Sequence, residues 1–253
     1  MTKQGGMGHQ LYVGGVDVGA DIQSLSRIGG GPAALDFTPI TKSAFERQGG
    51  LLDGGMDLTC YFNPTVSPDT TSHAHTVFSA LPTADVLLTY GMGTAIGDWA
   101  ANEVAKQVNY DPNRAQDGSL LFAVQSVANG WGVEWGKHLT AGKRTDTTAT
   151  NGASLDTLAS VAFGWQAYLH VMTVTGTSVT VTLEDSANNS SFTALTGGAF
   201  AAATSGGAPS WQRIESASRT ATVRQYVRAV TTGTFTSATF VVLFVKNDTL
   251  VVH

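Results

Sequence analysis

Apolar and polar residues alternate with a period of two along most of this chain, and Gly, Pro, Asn and Ser interrupt the alternation at short intervals. Successive strand side chains point to opposite faces, so the pattern predicts half-buried strands. The clearest case is Met56, Leu58, Cys60 and Phe62 on one face against Asp57, Thr59 and Tyr61 on the other, just after the glycine pairs at 49–50 and 54–55. Upstream, LYVGGVDV (11–18) reads as a strand broken by Gly14-Gly15, and IQSLSRI (22–28) as a weaker one. Gly29-Gly30-Gly31-Pro32 reads as a sharp breaker before a strand at ALDFTPI (34–40) that Pro39 closes.

Downstream, ADVLLTYG (84–91) is a continuous apolar run, as expected of a strand buried on both faces. Residues 99–111 place Ala100, Val104 and Val108 at helical spacing, but Asp111-Pro112 and the strand-rich surroundings favour a strand. The segment 117–139 predicts two strands turning at Asn129-Gly130, a strong hairpin signal. One short helix is expected over 67–81. There Asp69, Thr70, Thr71 and Ser72 offer capping oxygens, and Ala74, Val77, Phe78 and Leu81 recur at helical spacing before Pro82.

Residues 140–156 lose apolar periodicity, which marks a boundary. Beyond it Trp165, Ala167, Leu169 and Val171 alternate with Gln166, Tyr168, His170 and Met172, and the pattern resumes after Gly176 in SVTVTLED (178–185). Two short strands about Gly197-Gly198, then SWQRIES (210–216), TATVRQYVRAV (220–230) and SATFVVLFVK (237–246), complete about seven strands, the pattern of a β-sandwich. The chain is thus expected to be mainly β: a flexible arm over 1–10, a first domain over 11–150, a linker over 151–160 and a second, immunoglobulin-like or jelly-roll-like sandwich over 161–253.

Charged residues are only 13 % of the chain, against about 25 % in ordinary globular proteins, a surface that does little to hold copies apart. The net charge of −5 argues against tight general binding to nucleic acid. Its acidity lies in residues 1–153, with nine Lys/Arg against fourteen Asp/Glu, whereas 154–253 carry five of each. Cys60 is the one cysteine, which excludes an intrachain disulfide or a cysteine metal site and reads as a buried small hydrophobe. The first ten residues have no signal-peptide core and no run nears the roughly 20 apolar residues of a membrane helix, so synthesis in the cytoplasm without a membrane anchor is expected.

Catalysis needs convergent polar groups, and the candidates are scattered. Gly29–Pro32 lacks the Lys-Ser/Thr of a phosphate loop, and His73 and His75 would sit on different helix faces without further ligands. Glu184-Asp185 precedes a turn-forming run, and His170 lies on a strand beside Tyr168. The expectation is a non-enzyme with no cofactor and no metal. Arg224, Tyr226 and Arg228 share one strand face and are the candidate face for an acidic or sugar ligand. Trp131 and Trp135 also share a face and read as core or subunit-contact anchors.

Residues 10–150 resemble the tail tube proteins of long-tailed bacteriophages, of the siphovirus type. The resemblance lies in LYVGGVDVGADIQSLSR, LDFTPITKSAFERQGGLLDGGMDLTCYFN, the helix HAHTVFSAL, the strand DVLLTYG and DGSLLFAVQSVANGWGVEWG. It implies a β-sandwich or half-barrel with one flanking helix, six copies to a ring, and stacked rings lining the channel through which DNA leaves the capsid. Phe45, Glu46, Arg47, Leu51 and Leu52, in the 41–55 loop, become candidate contacts with the next subunit or ring. The second domain resembles β-sandwich additions on the tail proteins of phages infecting actinobacteria. The partners implied are the chain itself, the tail terminator, tape measure and baseplate or tail tip, DNA in passage, and, as a further option, a host-surface glycan. A capsid decoration or virion-fibre protein, and a glycan-binding module, are the competing readings.

Overall fold

The computed structural model describes residues 5–64, 74–81 and 84–249. As expected, the chain is mainly β. In the first half the strands are β1 (Gln10–Val13), β2 (Val16–Asp17), β3 (Ile22–Asp36), β4 (Arg47–Tyr61), β5 (Val86–Gly91), β6 (Trp99–Gln107), β7 (Asp111–Arg114) and β8 (Leu120–His138). They are followed by β9 (Arg144–Asp146), β10 (Leu155–Asp156), β11 (Trp165–Ser186), β12 (Thr193–Ala199), β13 (Ala203–Thr204), β14 (Ser210–Glu215) and β15 (Tyr226–Lys246). The one α-helix among the described residues is α1 (Ala74–Phe78). The capping residues expected at 69–72, together with His73 and Pro82, lie outside the described residues. The Ala74 N–H is satisfied by the carboxylate of Asp21, at 3.0 Å and 53 residues away.

Hydrogen-bonded neighbours run in the order β12-β11-β15-β8-β6-β5-β1-β2, and β3, β4 and β7 join through the first half of β8. β8 therefore belongs to two layers. Residues 121–125 pair with β4, whereas Val133 to Lys137 pair with β6 and Lys137-His138 with β15. Between the layers the strand kinks at Gly130 (φ 95°) and Gly132 (φ 71°). The Asn-Gly signal thus marks a bend inside one strand and not the expected hairpin. The reason is that β6 continues past the kink on the same side and holds both halves in one ladder, so the extra residues form a bulge.

Other boundaries move for similar reasons. The Gly29–Pro32 run does not break β3. Its glycines face Gly55, Gly54 and Asp53 on β4, and Pro32, opposite Leu52, is tolerated on a strand that pairs with β4 alone among the described strands. The two strands expected on each side of Gly176 form the single strand β11, which pairs along its length with β15. Register shifts between Val171 and Ser178 bend this ladder. β12 likewise runs through Gly197-Gly198. Residues 84–91 and 99–111 do contain strands, as expected.

Three apolar clusters follow. One packs Leu11, Val13, Leu88 and Ala101 against Met56, Leu58, Cys60, Phe122 and Val124, so the face predicted for the 56–62 strand is indeed the buried one, with Phe62 at its border. A second fills the bent β11–β15 ladder with Trp165, Leu169, Val181, Phe240 and Phe244. The third joins them: Tyr12, Leu87 and Val104 meet Tyr168, Met172, Val241 and Leu243. The segment 140–156 is bonded along β15, where Arg144 reaches Asp146, the Ala229 carbonyl and the Thr150 carbonyl.

Gly14 and Gly15, at φ 59° and 92°, form the two-residue loop that joins β1 to β2, where a positive φ is needed at both positions. The Gly15 N–H donates to Nδ1 of the buried His170 at 3.2 Å, and a Cβ at Gly15 would lie 2.5 Å from the Ser210 carbonyl oxygen. Gly15→Ala is expected to destabilise the protein by about 2–4 kcal/mol in denaturant unfolding. An unchanged midpoint would contradict this tight junction.

Candidate assembly interface

The β3–β4 hairpin has a buried inner half and an exposed outer half. Residues from Met56 to Cys60 are covered, whereas Gly30–Asp36 and the facing Arg47–Asp53 protrude. At about 3.3 Å per residue the outer half carries Asp36 roughly 20 Å beyond Gly30. The tip is nonetheless ordered by its own bonds. Phe37 N–H donates to the Glu46 carbonyl at 2.9 Å, Glu46 N–H to Thr38 Oγ1 at 2.8 Å and Thr38 N–H to Asp36 Oδ1 at 2.9 Å. The two Thr38 bonds, the hydroxyl first, lower the Asp36 carboxyl pKa. Lys42 Nζ pairs with Glu46 at 2.7 Å, and the Arg47 guanidinium stacks 4.5 Å from the Phe45 ring centroid.

Large apolar side chains on this arm face solvent: Ile40 fully, Leu51 at 88 %, Phe45 at 69 % and Phe37 at 60 %. A folded chain rarely leaves such a group uncovered, and patches of this kind mark interaction sites. Of the residues expected to make subunit contacts, Phe45, Glu46, Arg47 and Leu51 lie on the arm. Leu52 lies at its root, where it shares a cleft of about 250 Å³ with Trp131 and Trp135. Trp131 is covered by the Arg213 guanidinium, 4.2 Å above its ring, and Trp135 is half exposed.

The structure also exposes Trp99, beside Lys137, and Leu158, neither of which periodicity singled out. Trp99 pairs with Lys137 and Ala101 with Trp135, so both indoles and the lysine share one sheet face. With the 155–161 loop they border a cleft of about 410 Å³. Another apolar cleft, of about 460 Å³, opens between the β1–β2 turn, α1, β5 and Trp211.

The candidate ligand face is otherwise engaged. Arg228 lies across the ladder from Glu184, donates to its Oε2 at 2.9 and 2.7 Å, and stacks 4.0 Å from the Phe192 ring. Arg224 Nε donates to Asp185 Oδ1 at 2.7 Å, and its Nη2 reaches Asp185 and Thr193. Tyr226 Oη accepts from Gln225 at 3.2 Å. The guanidinium donors assigned to an external acid thus meet the chain's own Glu184, across the ladder from Arg228, and Asp185, and Arg224 lies ahead of β15 and not on the expected strand face. His75 bonds to the Tyr110 hydroxyl at 2.6 Å, and among the described residues no three His, Cys, Asp or Glu side chains form a metal-binding group.

Buried titratable groups flank the arm root and the junction. His170, between Gly15 and the Thr89 hydroxyl, is pushed down to about 3 by burial first and then by His138. His138 is pushed down to about 4 by burial, with Asp98 opposing. Both rings are neutral at pH 7. The Cys60 thiol is pushed up to about 12 by burial, then by Asp21.

Glu103, on β6, is fully buried with neither carboxylate oxygen hydrogen-bonded among the described residues. Burial pushes it up to about 7. The nearby Ser126 hydroxyl, itself bonded to the Met56 backbone, and Arg27 oppose the shift, while Asp53 and Asp57 add to it. The folded chain keeps a proton that the unfolded chain releases near 4.5, so this residue's contribution to stability falls as pH rises from about 4.5 through about 7. Glu103→Gln is expected to abolish that fall and to be more stable than the parent at pH 8, by on the order of 3 kcal/mol in denaturant titrations. Identical pH profiles would refute the assignment.

No family model matches the sequence, and no curated protein matches it. Similar solved structures include a chain of the native gene transfer agent virion, at 12 % identity over 53 % of this chain and 98 % of that one, with a TM-score of 0.39. The Dit protein of phage SPP1, described as a paradigm of the hub adsorption apparatus in phages infecting Gram-positive hosts, matches at 12 % identity over 94 % and 98 %, with a TM-score of 0.32. A chain of the phage p2 baseplate in its activated conformation matches at 11 % identity over 96 % and 99 %, with a TM-score of 0.36. Likeness at these scores decides nothing about the role of this chain.

Proposed function

We propose that the chain is a structural virion protein of a long-tailed bacteriophage, whose copies close into rings and whose rings stack into the tail tube. The observation that carries this reading is the rigid β3–β4 arm, which presents Phe37, Ile40, Phe45 and Leu51 to solvent. Burying each of these against another copy contributes about 1.5–3 kcal/mol before ordering costs. The layer β3-β4-β8-β7 supports it as well, because β3 and β7 are its outer strands among those described and their unpaired backbone groups suit pairing between copies. The acidic surplus in residues 1–153 suits a channel wall that repels DNA phosphates.

The chain then acts by position and not by catalysis. Rings of six copies, the number implied by the sequence resemblance, form from subunits made in the host cytoplasm and end as part of the virion. Terminator, tape measure and baseplate or tail-tip proteins meet the end rings. DNA passes without sequence-specific contact, and no metal or cofactor takes part.

Electron microscopy of the purified protein, with sedimentation across a concentration series, tests this. Hollow rings or rods of uniform width are expected. The triple variant Phe37→Ser/Ile40→Ser/Phe45→Ser, altered only at the exposed tip, is expected to stay folded and unassembled. A parent that remains monomeric under all conditions, or a triple variant that assembles as well as the parent, would contradict the reading. Rings that never stack would make it a hub component and not a tube subunit, and labelling of capsids instead of tails would favour a decoration protein.

A further inference from the structure

Leu158 is a bulky residue held in the left-handed region, at φ 72°, with 80 % of its surface exposed. Such a conformation costs free energy, and hydrophobic burial does not repay it within this chain. The neighbouring backbone is nevertheless tied down. Leu158 N–H donates to Asp156 Oδ1 at 2.7 Å, Thr157 N–H to the Gln225 carbonyl at 2.9 Å, and the largely buried Lys246 ammonium to the Thr157 and Ala159 carbonyls at 2.8 and 3.2 Å. The loop therefore presents a fixed apolar knob beside Trp99 and Trp135, across a cleft of about 410 Å³. Tryptophan is among the residues most enriched at interface hot spots, and here two exposed ones flank the rigid leucine.

We infer that the strip formed by Trp135, Trp99 and Leu158 is the socket for the arm tip of a neighbouring copy. This rests on the ring-forming reading above and adds to it the acceptor surface. The argument for a second copy as occupant comes from the chain itself. Its arm tip carries Phe37, Ile40 and Phe45 largely in the open, while Lys42 pairs with Glu46 and Asp36 lies across the ladder from Arg47, so the tip offers apolar surface with no net charge. At the socket Lys137 lies 5.1 Å from the Trp99 ring centroid, and Lys246, bonded to backbone carbonyls, stands 3.9 Å from the exposed Asp248. Trp135 lines both the cleft at the arm root and the socket, and the tip lies at the far end of the hairpin from that root. Donor and acceptor are different patches of one surface, which makes the contact head-to-tail, the kind that closes into rings or propagates as filaments.

Cysteine cross-linking tests the pairing without interference from Cys60, whose thiol is buried and protonated. Ile40→Cys and Leu158→Cys are prepared separately, mixed, assembled and treated with a short bis-maleimide. Covalent dimers are expected from the mixture and not from either variant alone, nor from Ile40→Cys mixed with Val16→Cys, which probes the cleft beside the β1–β2 turn. Rings or rods with no Ile40–Leu158 product, or with the Ile40–Val16 product instead, overturn the socket while leaving assembly intact. Absence of any assembly overturns both. A second measurement uses Leu158→Gly, which suits a positive φ. The unassembled subunit is expected to melt no lower than the parent, while the critical concentration for assembly rises tenfold or more. An unchanged critical concentration overturns the inference.

Discussion

The molecule depends on β8 serving two layers with one backbone. Its first half is bonded to β4 and β7, its second half reaches β15, and β6 runs beside both halves across the kink at Gly130 and Gly132. Without that bend the β3–β4 hairpin would have no body to stand on. The junction cluster around Tyr12, Tyr168 and Leu243 then adds apolar cover where β1, β5 and β6 meet the long β11–β15 ladder.

Consequences follow for the surface. Because only the inner half of β3–β4 finds a layer to pack on, the outer half is left as a stiff, exposed hairpin. The apolar side chains of the arm stay largely exposed, Phe45 under the Arg47 guanidinium. The buried Glu103 stands where the arm meets the body, opposite Arg27, Asp53 and Asp57, so the proton content of one carboxyl is linked to how tightly the root packs. The ring-forming reading gathers these features into a single requirement, that neighbours supply the missing cover.

The period of two made the strands legible, and it named the correct inner face at Met56, Leu58 and Cys60. It failed where glycine and proline had two readings. Asn129-Gly130 is locally a turn and Gly29–Pro32 locally a breaker. Which reading holds depended on whether a partner strand continued alongside, and that is a long-range fact. The arm segment entered as a candidate contact through the resemblance to tail tube proteins, and its exposure became visible only in coordinates. Leu158 was not, since a lone leucine in a polar loop carries no period and its positive φ is visible only in coordinates. The Arg224 and Arg228 face misled for the opposite reason: the carboxylates that neutralise it lie some forty residues away, on the facing strand.

The central claim is that the arm and the outer strands are finished by other copies of the chain. Amide hydrogen exchange, read by mass spectrometry on dilute subunits and on the concentrated protein, tests it most directly. Residues 29–36, 47–53 and 111–114 are predicted to exchange fast when dilute and to become protected on concentration, while 165–186 stay slow throughout. Equal exchange of the arm in both states would contradict the account.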